Sequence, residues 1–254
     1  MENEKILYDS TDGILKYQVA DTIYNNRPSR VLFGEDRIAA ESGIALDDNK
    51  EMLFDYNERF MEIIRGLQPK RILLIGGGAF TLPKAINEEF PEVKLDVVEL
   101  DVELYKIAQK YFNFKPNKNT KIYIKDGNEY LKTTRQIYDL VIVDVFLNNV
   151  IPESFRTKKF AKRLKRILTD EGIVAMNIIA SYYGKLSSFI NNITSAYSSS
   201  FETVQIFPAD IDLSLWISQN FIITAQNNNI NIQPFVRYKA LNSPKPSWRQ
   251  WLIN

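Results

Sequence analysis

The 254-residue chain contains no cysteine and no histidine. This absence excludes disulfides, thiolate nucleophiles, imidazole bases and the usual zinc ligands together. Any catalytic proton acceptor must therefore be a carboxylate, a lysine or a tyrosine, and we expect no metal site.

The chain also lacks a run of about 18 apolar residues, the length that a membrane span needs. Its N-terminal segment, MENEKILYDSTDG, is acidic and polar, which does not fit a signal peptide. We therefore expect a cytoplasmic protein with no membrane partner. A formal net charge of +1 gives no overall attraction to nucleic acid, and a hydrophobic content of 45% is enough for a large core.

A glycine-rich turn followed by an acid is the most informative motif that is present. Residues 71–101 read RILLIGGGAFTLPKAINEEFPEVKLDVVELD, with a strand before Gly76, Gly77 and Gly78, then a helix, then a strand ending at Glu99. Glycines let the backbone turn sharply and approach a ligand whose volume a side chain would fill. Glu99 lies close to the roughly 20-residue offset at which such folds bind ribose hydroxyls. The motif predicts a nucleotide site; the alternative is a tight turn with a solvated strand end.

The chain divides into three regions. Residues 13–46 contain short β-rich runs broken at NNRPS and GED, which indicates antiparallel hairpins. Residues 49–66 have the apolar period of a helix that Gly66 would stop. We place an N-terminal β-hairpin unit at 1–48, a Rossmann-like binding domain at 49–226 and a C-terminal tail at 227–254, with Trp248 and Trp251 as candidate anchors of the tail.

From residue 71 onward, apolar strands alternate with helices. Strands are expected at 71–75, 94–99, 121–125, 139–145 and 172–178, and helices near 80–89, 102–112, 127–133, 157–168 and 184–198. This alternation indicates a parallel sheet covered by helices on both faces. Two later β-like runs, ETVQIFP and NFIITAQ, have no helix between them and predict a closing antiparallel pair.

Two further acids follow predicted strands. Asp126 precedes Gly127 in IKDGNEYL and could accept a hydrogen bond from an exocyclic amine such as that of adenine, although Asp-Gly after a strand is usually a turn with a helix cap. Asp144 ends the apolar strand VIVDV with no cation beside it in sequence. Partial burial would raise its pKa and suit it to accept a proton from a nucleophile; the alternative is an acid that caps a turn.

The strings GGGAF, VVELD, KDGNEYL, YDLVIVDVF, IPESFRTKKF and LTDEGIVAMN together resemble the spermidine synthase-like (polyamine synthase) branch of class I S-adenosylmethionine-dependent transferases. The similarity runs from about residue 17 to residue 225. It implies an α/β fold with a Rossmann-like, seven-stranded, mostly parallel sheet whose last hairpin is reversed, plus a small N-terminal antiparallel β-unit. It also implies an adenosyl-sulfonium donor, either S-adenosylmethionine or its decarboxylated form, a small-molecule acceptor and frequently a homodimer.

The resemblance also assigns roles to residues of this chain. The glycines would pass under the nucleoside, Glu99 would hold the ribose, and Asp144 would receive the proton of the attacking group. Residues expected to bind the donor are Gln18, Gly76, Gly77, Gly78, Glu99, Asp101, Asp126 and Gly127. Residues expected to line the acceptor pocket are Tyr17, Glu41 and Tyr56, with core packing as the alternative for the two tyrosines.

The chain departs from the polyamine synthase pattern at two acids. Ala79 follows the glycines in place of Asp, and Leu147 stands three positions after Asp144 in place of a second acid. Ammonium groups in a partly buried cleft need carboxylates, each such hydrogen bond being worth about 1.5 to 3 kcal/mol. The departures favour methyl transfer from S-adenosylmethionine over aminopropyl transfer from the decarboxylated donor to a polyamine. A nucleoside-binding protein without catalysis is a third alternative.

Two other classes fit less well. The basic residues of FRTKKFAKRLKRIL lie opposite an apolar stripe, which indicates a solvated face, and only Phe155 and Phe160 are aromatic neighbours. We therefore do not expect a nucleic acid partner. A dehydrogenase would need glycine at position 81, where Thr81 stands, and would not require Asp126.

Overall fold

A computed structural model describes residues 4–10, 13–35, 37, 39–47, 52–147, 150–184, 186–210, 212–228 and 241. These residues form two β-sheets, one four-stranded and one seven-stranded. Trp248, Trp251 and most of the predicted tail lie outside the described residues. In the described part of the chain, no helix combines the length and the apolar character that crossing a membrane requires.

The N-terminal sheet is antiparallel and follows chain order, with β1 Lys5–Asp9, β2 Tyr17–Tyr24, β3 Arg27–Gly34 and β4 Ala40–Ala45. Asn25 and Asn26, with φ of 49° and 61°, form the two-residue turn between β2 and β3. Positive φ at both central residues matches the twist of the flanking strands. One face of this sheet buries Val19 and Leu32 against the residues that follow β6 of the larger sheet.

The larger sheet has the strand order β10-β11-β9-β8-β5-β6-β7. Its strands are β5 Arg71–Ile75, β6 Lys94–Glu99, β7 Thr120–Ile124, β8 Tyr138–Val143, β9 Leu168–Ala180, β10 Thr203–Pro208 and β11 Gln219–Gln226. Strands β5 to β9 are parallel, whereas β11 pairs antiparallel with β9 and with β10. The predicted Rossmann-like sheet with a reversed last hairpin is confirmed.

Six α-helices accompany the strands in the described residues, together with a short 3₁₀ helix at Glu153–Arg156. The α-helices are α1 Asp55–Leu67, α2 Thr81–Glu89, α3 Val102–Tyr111, α4 Gly127–Thr133, α5 Lys158–Arg166 and α6 Ser187–Ser198. Two apolar clusters, one on each face of the larger sheet, are closed by these helices. The strands are therefore apolar on both sides, as the sequence predicts.

The helix before the sheet differs from its predicted bounds. It begins at Asp55 instead of residue 49, because Met52 bridges to Ile44 and Leu53 packs on the N-terminal sheet. Gly66 lies inside the helix, and the predicted stop there is wrong. The left-handed residue that ends the helix is Gln68, with φ of 47°.

Candidate active site

A cavity of about 330 Å³ opens where the carboxyl ends of β5, β6 and β8 meet the N-terminal sheet. In the sheet, β6 lies on one side of β5 and β8 lies on the other. The cavity therefore lies at the point where the strand order reverses. Its volume is within the range of small-molecule sites. The predicted site residues that line it are Tyr17, Glu41, Tyr56, Gly76, Gly77, Gly78, Glu99, Asp101, Asp126, Gly127 and Asp144.

A side chain at each of the three glycines of the turn would meet different surroundings. A Cβ on Gly76, where φ is +96°, would lie 1.9 Å from the backbone oxygen of Asp144, and one on Gly77 would lie 2.5 Å from the ring of Phe80. A Cβ on Gly78, where φ is +54°, would have nothing nearer than Ser42 at 3.8 Å. The prediction that each glycine leaves room for a ligand therefore needs correction, since two of them are required by the packing of the protein itself. Gly78 is the glycine that faces open space.

Glu99 ties the glycine turn to the end of β6. Its carboxylate accepts a hydrogen bond from the backbone N–H of Gly77 at 2.7 Å and from that of Asp101 at 2.8 Å. Burial raises the pKa of Glu99, and the backbone N–H groups oppose that rise. The N–H groups of Gly78 and Leu100 also act on this carboxylate, which lines the cavity. The side chain is 6% exposed, which rules out the solvated strand end.

Asp101 accepts three hydrogen bonds from the protein. It caps α3 by accepting from the N–H of Glu103 at 2.9 Å, and its other oxygen accepts from the N–H of Ile14 at 2.6 Å and from the hydroxyl of Tyr17 at 3.2 Å. It therefore fastens the segment between β1 and β2 to the edge of the cavity. Burial raises the pKa of Tyr17 well above its usual range, with Asp101 and Glu41 adding to the rise, so its hydroxyl stays protonated.

Asp126 and Gly127 begin α4 beneath the opposite end of the cavity. One oxygen of Asp126 accepts from the N–H of Glu129 at 2.9 Å, which is the helix cap that the sequence offered as the alternative reading. A Cβ on Gly127 would lie 2.5 Å from Ile75, so this glycine lets the helix pack closely on β5. Asp126 also lines the cavity.

Asp144 follows β8 directly and lines the cavity. The residue is partly buried. That burial raises its pKa from 3.8 to about 6; a hydrogen bond from Asn177 lowers the value and the charge of Glu99 raises it. The Asn177 Nδ2 donates to Asp144 Oδ1 at 3.0 Å. A carboxylate with a pKa near neutrality is suited to proton transfer.

Aromatic side chains line the far end of the cavity, beside Glu41. Tyr24 contacts Phe54 and Phe54 contacts Tyr56, with ring centroids 5.6 Å and 5.9 Å apart. Burial raises the pKa of Tyr56 far above its usual value, and the charges of Asp144 and Glu41 add to the rise. Tyr56 therefore stays protonated beside these two carboxylates.

Two positions considered from sequence do not reach the cavity in the described structure. Gln18 alternates with Tyr17 along β2, and its amide nitrogen lies 3.5 Å from Asp9. Ala79 is fully buried among Tyr17 and Leu32 instead of facing the donor. Gln18 therefore does not line the cavity, where the resemblance would place it, and Ala79 lies in the core and not in the pocket, because strand alternation and core packing direct these side chains elsewhere.

Asn177 is the site residue that the sequence reading missed. It lies in the strand GIVAMNI, on the face of β9 where Ile173 and Ala175 enter the apolar core. A buried amide at an alternation position otherwise held by apolar residues was a detectable signal.

The fold is Rossmann-like, and an N-terminal antiparallel sheet covers the cavity at the carboxyl edge of the larger sheet. Residues 49–234 match the family of the spermine/spermidine synthase domain, and the chain belongs to that family. The resemblance read from the sequence motifs is confirmed.

Curated relatives include two kinds of transferase. A polyamine aminopropyltransferase of Vibrio vulnificus is 35% identical over 117 residues, which is 45% of this chain and 39% of that protein. A Homo sapiens eEF1A lysine and N-terminal methyltransferase is 26% identical over 175 residues, covering 64% of this chain and 23% of that protein. The chain thus matches about two fifths of the first relative and under a quarter of the second.

Solved structures share the fold at low sequence identity. A probable spermidine synthase from Corynebacterium glutamicum superposes with a TM-score of 0.75 at 18% identity, covering 96% of this chain and 92% of that one. Human methyltransferase-like protein 13, solved in complex with SAH, superposes with a TM-score of 0.60 at 20% identity, covering 75% and 86%. These likenesses establish the fold.

Proposed function

We propose that this chain is a transferase that binds an adenosyl-sulfonium donor in the cavity and transfers the methyl group of S-adenosylmethionine to a small nucleophile. The observation that carries the proposal is the meeting of three elements in one cavity: a glycine turn, an acid fixed to that turn, and a buried carboxylate with a raised pKa. The two transferase activities named for the relatives support it.

The donor-binding part of the site is built from backbone and carboxylates. The turn at Gly78 gives an open surface for the nucleoside, and the carboxylate of Glu99, which lines the cavity beside it, suits a ribose hydroxyl. The second oxygen of Asp126 is available to an exocyclic amine. These residues fit an adenosyl group without a change in their described contacts.

The chemistry needs alignment and one proton acceptor. A bound donor supplies a carbon attached to positively charged sulfur, to which the nucleophile's lone pair bonds while the carbon–sulfur electron pair stays on sulfur. The proton that the nucleophile loses passes to the carboxylate of Asp144, which is ionised above pH about 6. Tyr17 and Tyr56 stay protonated and serve as hydrogen-bond donors or walls.

The choice of donor rests on charge. Leu147 lines the cavity where the polyamine pattern has an acid, and Ala79 is buried away from it. Neither position can repel the carboxylate of ordinary S-adenosylmethionine, and neither can bind the ammonium of a polyamine. Methyl transfer is therefore our first candidate.

Aminopropyl transfer from the decarboxylated donor is the second candidate. Glu41 and Asp144 line the same cavity, and both influence Tyr56 between them. Two carboxylates at this end could bind ammonium groups in place of the missing acids. The identity to a polyamine aminopropyltransferase supports this alternative.

Calorimetric titration with S-adenosylmethionine, its decarboxylated form and methylthioadenosine tests the proposal. We expect all three to bind and S-adenosylmethionine to bind more tightly than the decarboxylated donor. Equal or tighter binding of the decarboxylated donor would replace methyl transfer by aminopropyl transfer, and no binding of any of them would overturn the donor assignment. Asp144→Asn should lower turnover far more than donor affinity, whereas Asp170→Asn, at the other end of β9, should change neither.

A further inference from the structure

The cavity is rich in negative charge, which sets a condition on the donor that it binds. Among the described residues that line it, Lys125 is the one with a positive charge, and its Nζ donates to Thr133 Oγ1 at 3.3 Å. Five carboxylates line the cavity as well, those of Glu41, Glu99, Asp101, Asp126 and Asp144. The tail of S-adenosylmethionine carries a carboxylate of its own. Because Lys125 follows β7 and β6 separates it from the turn after β5, a tail near that turn needs uncharged hydrogen-bond donors.

The start of α2 offers such donors. The first N–H groups of an α-helix have no partner inside the helix, and they attract negative charge. Before α2, Phe80 supplies no side-chain cap, and the first turn contains no acid. Thr81 and Leu82, the first two residues of this helix, line the cavity. The N-terminus of α2 therefore meets the cavity without the capping acceptor that a helix usually has there.

A pair of buried hydroxyl groups at the same point gives an independent indication of a ligand. Ser42 Oγ on β4 lies 3.2 Å from Thr81 Oγ1, and the two residues are 4% and 7% exposed. One hydroxyl hydrogen lies between the two oxygens, so the other has no acceptor within the described structure. A buried donor without an acceptor is unfavourable, and a ligand oxygen would satisfy it.

The space beside this hydroxyl pair is open. A Cβ placed on Gly78 would have the Cβ and Oγ of Ser42 as its nearest atoms, both at 3.8 Å. Gly78, Ser42 and Thr81 all line the cavity. Gly77, one residue earlier, donates to Glu99, the acid that we assign to the ribose. The hydroxyl pair therefore borders the part of the cavity that adjoins the assigned ribose position.

We propose that the hydroxyl groups of Ser42 and Thr81, together with the N–H groups that begin α2, bind the carboxylate of the donor's amino acid tail. This inference rests on the proposed function, and it makes Ser42 and Thr81 specificity-determining residues for S-adenosylmethionine against its decarboxylated form. Neutral donors bind a carboxylate without adding positive charge, so the cavity keeps its attraction for the sulfonium. The decarboxylated tail has no acceptor for the spare hydroxyl hydrogen, which is the source of the discrimination.

Calorimetry with two thioethers tests this contact: S-adenosylhomocysteine and its decarboxylated analogue differ by the carboxylate alone. Thr81→Val should raise the dissociation constant of S-adenosylhomocysteine by about 10- to 100-fold, because a charge-assisted hydrogen bond is lost, and leave that of the analogue nearly unchanged. Ser42→Ala should act in the same direction, whereas Thr81→Ser keeps the hydroxyl and should keep the wild-type ratio. Thr194→Val removes a buried hydroxyl on α6 and should not alter the ratio. A wild-type ratio in both Thr81→Val and Ser42→Ala would overturn the inference.

Introducing a negative charge gives a second test. Thr81→Asp places a carboxylate in the first turn of α2, where a helix favours an acid, so the fold should be retained. The new charge should repel the carboxylate of S-adenosylhomocysteine and attract the ammonium of the analogue, which should become the tighter ligand of the two. Thr81→Asn has nearly the same shape without the charge and should not reverse the order. A preference for S-adenosylhomocysteine that persists in Thr81→Asp would contradict the assigned contact.

Methylthioadenosine, which has no amino acid tail, separates this inference from the proposed function. It should bind each variant as tightly as it binds the wild-type protein. If it binds and the ratio of the two thioethers does not respond to the substitutions, this inference alone fails. If neither methylthioadenosine nor the thioethers bind the wild-type protein, the donor assignment fails and this inference fails with it.

Discussion

At the residue scale, the raised pKa of Asp144, the proton acceptor that we propose, has a consequence for stability. Its pKa rises from 3.8 to about 6 on folding, so between these values the native state keeps a proton that the unfolded chain has lost. Stability therefore falls as the pH rises through this window, and the full cost is present above pH about 6. The protein keeps a destabilising carboxylate in the lining of its cavity, as expected of a functional group.

Asp144→Asn should consequently stabilise the protein at neutral pH. We expect a gain of about 1 to 3 kcal/mol in the free energy of unfolding at pH 7.5 and little gain at pH 4, where the native carboxyl is already protonated. Urea denaturation at the two pH values measures the difference. Asp170→Asn, exposed at the far end of the sheet, provides the control. An equal gain at both pH values would contradict the titration as its source.

Glu99, like Asp144, has both a structural effect and a role in the proposed function. It accepts from the backbone N–H groups of Gly77 and Asp101, and in the proposed function it also binds the ribose of the donor. Glu99→Gln replaces one accepting oxygen by a donor, so a charge-assisted hydrogen bond of about 1.5 to 3 kcal/mol is lost. We expect the dissociation constant of the donor to rise by about 10- to 100-fold in calorimetry. Glu129→Gln on the exposed face of α4 should leave it unchanged, and an unaltered affinity for Glu99→Gln would remove Glu99 from the ligand site.

At the element scale, the turn between β5 and α2 shows why local sequence carries so much of the prediction. A short apolar strand, consecutive glycines and an acid ending the next strand are local patterns, and the corresponding strands and helices lie within a few residues of their predicted bounds. The side chain of Gln18 and the burial of Ala79 depend on how the two sheets meet, which is a tertiary property. The same holds for Asn177, whose partner Asp144 lies on another strand.

The glycine turn supplies a matched pair of substitutions. Gly76→Ala would place a methyl group 1.9 Å from a backbone oxygen at a φ of +96°, and should destabilise the fold by about 3 to 5 kcal/mol. Gly78→Ala meets open space and should cost about 1 to 2 kcal/mol from its positive φ alone. Its methyl group should nevertheless weaken donor binding. Denaturation together with donor titration separates the two effects; equal destabilisation would contradict the different roles of the two glycines.

At the scale of the whole molecule, the cavity joins the two sheets. Ser42 on β4 lies 3.2 Å from Thr81 at the start of α2, and Tyr17 on β2 donates to Asp101 after β6. The ionisable groups of the site are divided between the sheets in the same way, with Glu41 on one and Glu99 and Asp144 beside the other. The site is complete only when both sheets are in place. The homodimer implied by the sequence resemblance stays a prediction that sedimentation can check.

Because the cavity has walls from both sheets, a bound donor should protect both from hydrogen exchange. A ligand at 100 times its dissociation constant stabilises the native state by about 2.7 kcal/mol, which corresponds to slower exchange wherever local opening releases the ligand. We expect slower exchange in peptides covering residues 13–24 and 39–45 as well as 76–82 and 97–104. Peptides covering β10, away from the cavity, should change little. Protection confined to the larger sheet would contradict a donor bound between the two sheets. In that case the strands that carry Tyr17 and Glu41 would open locally without releasing the donor.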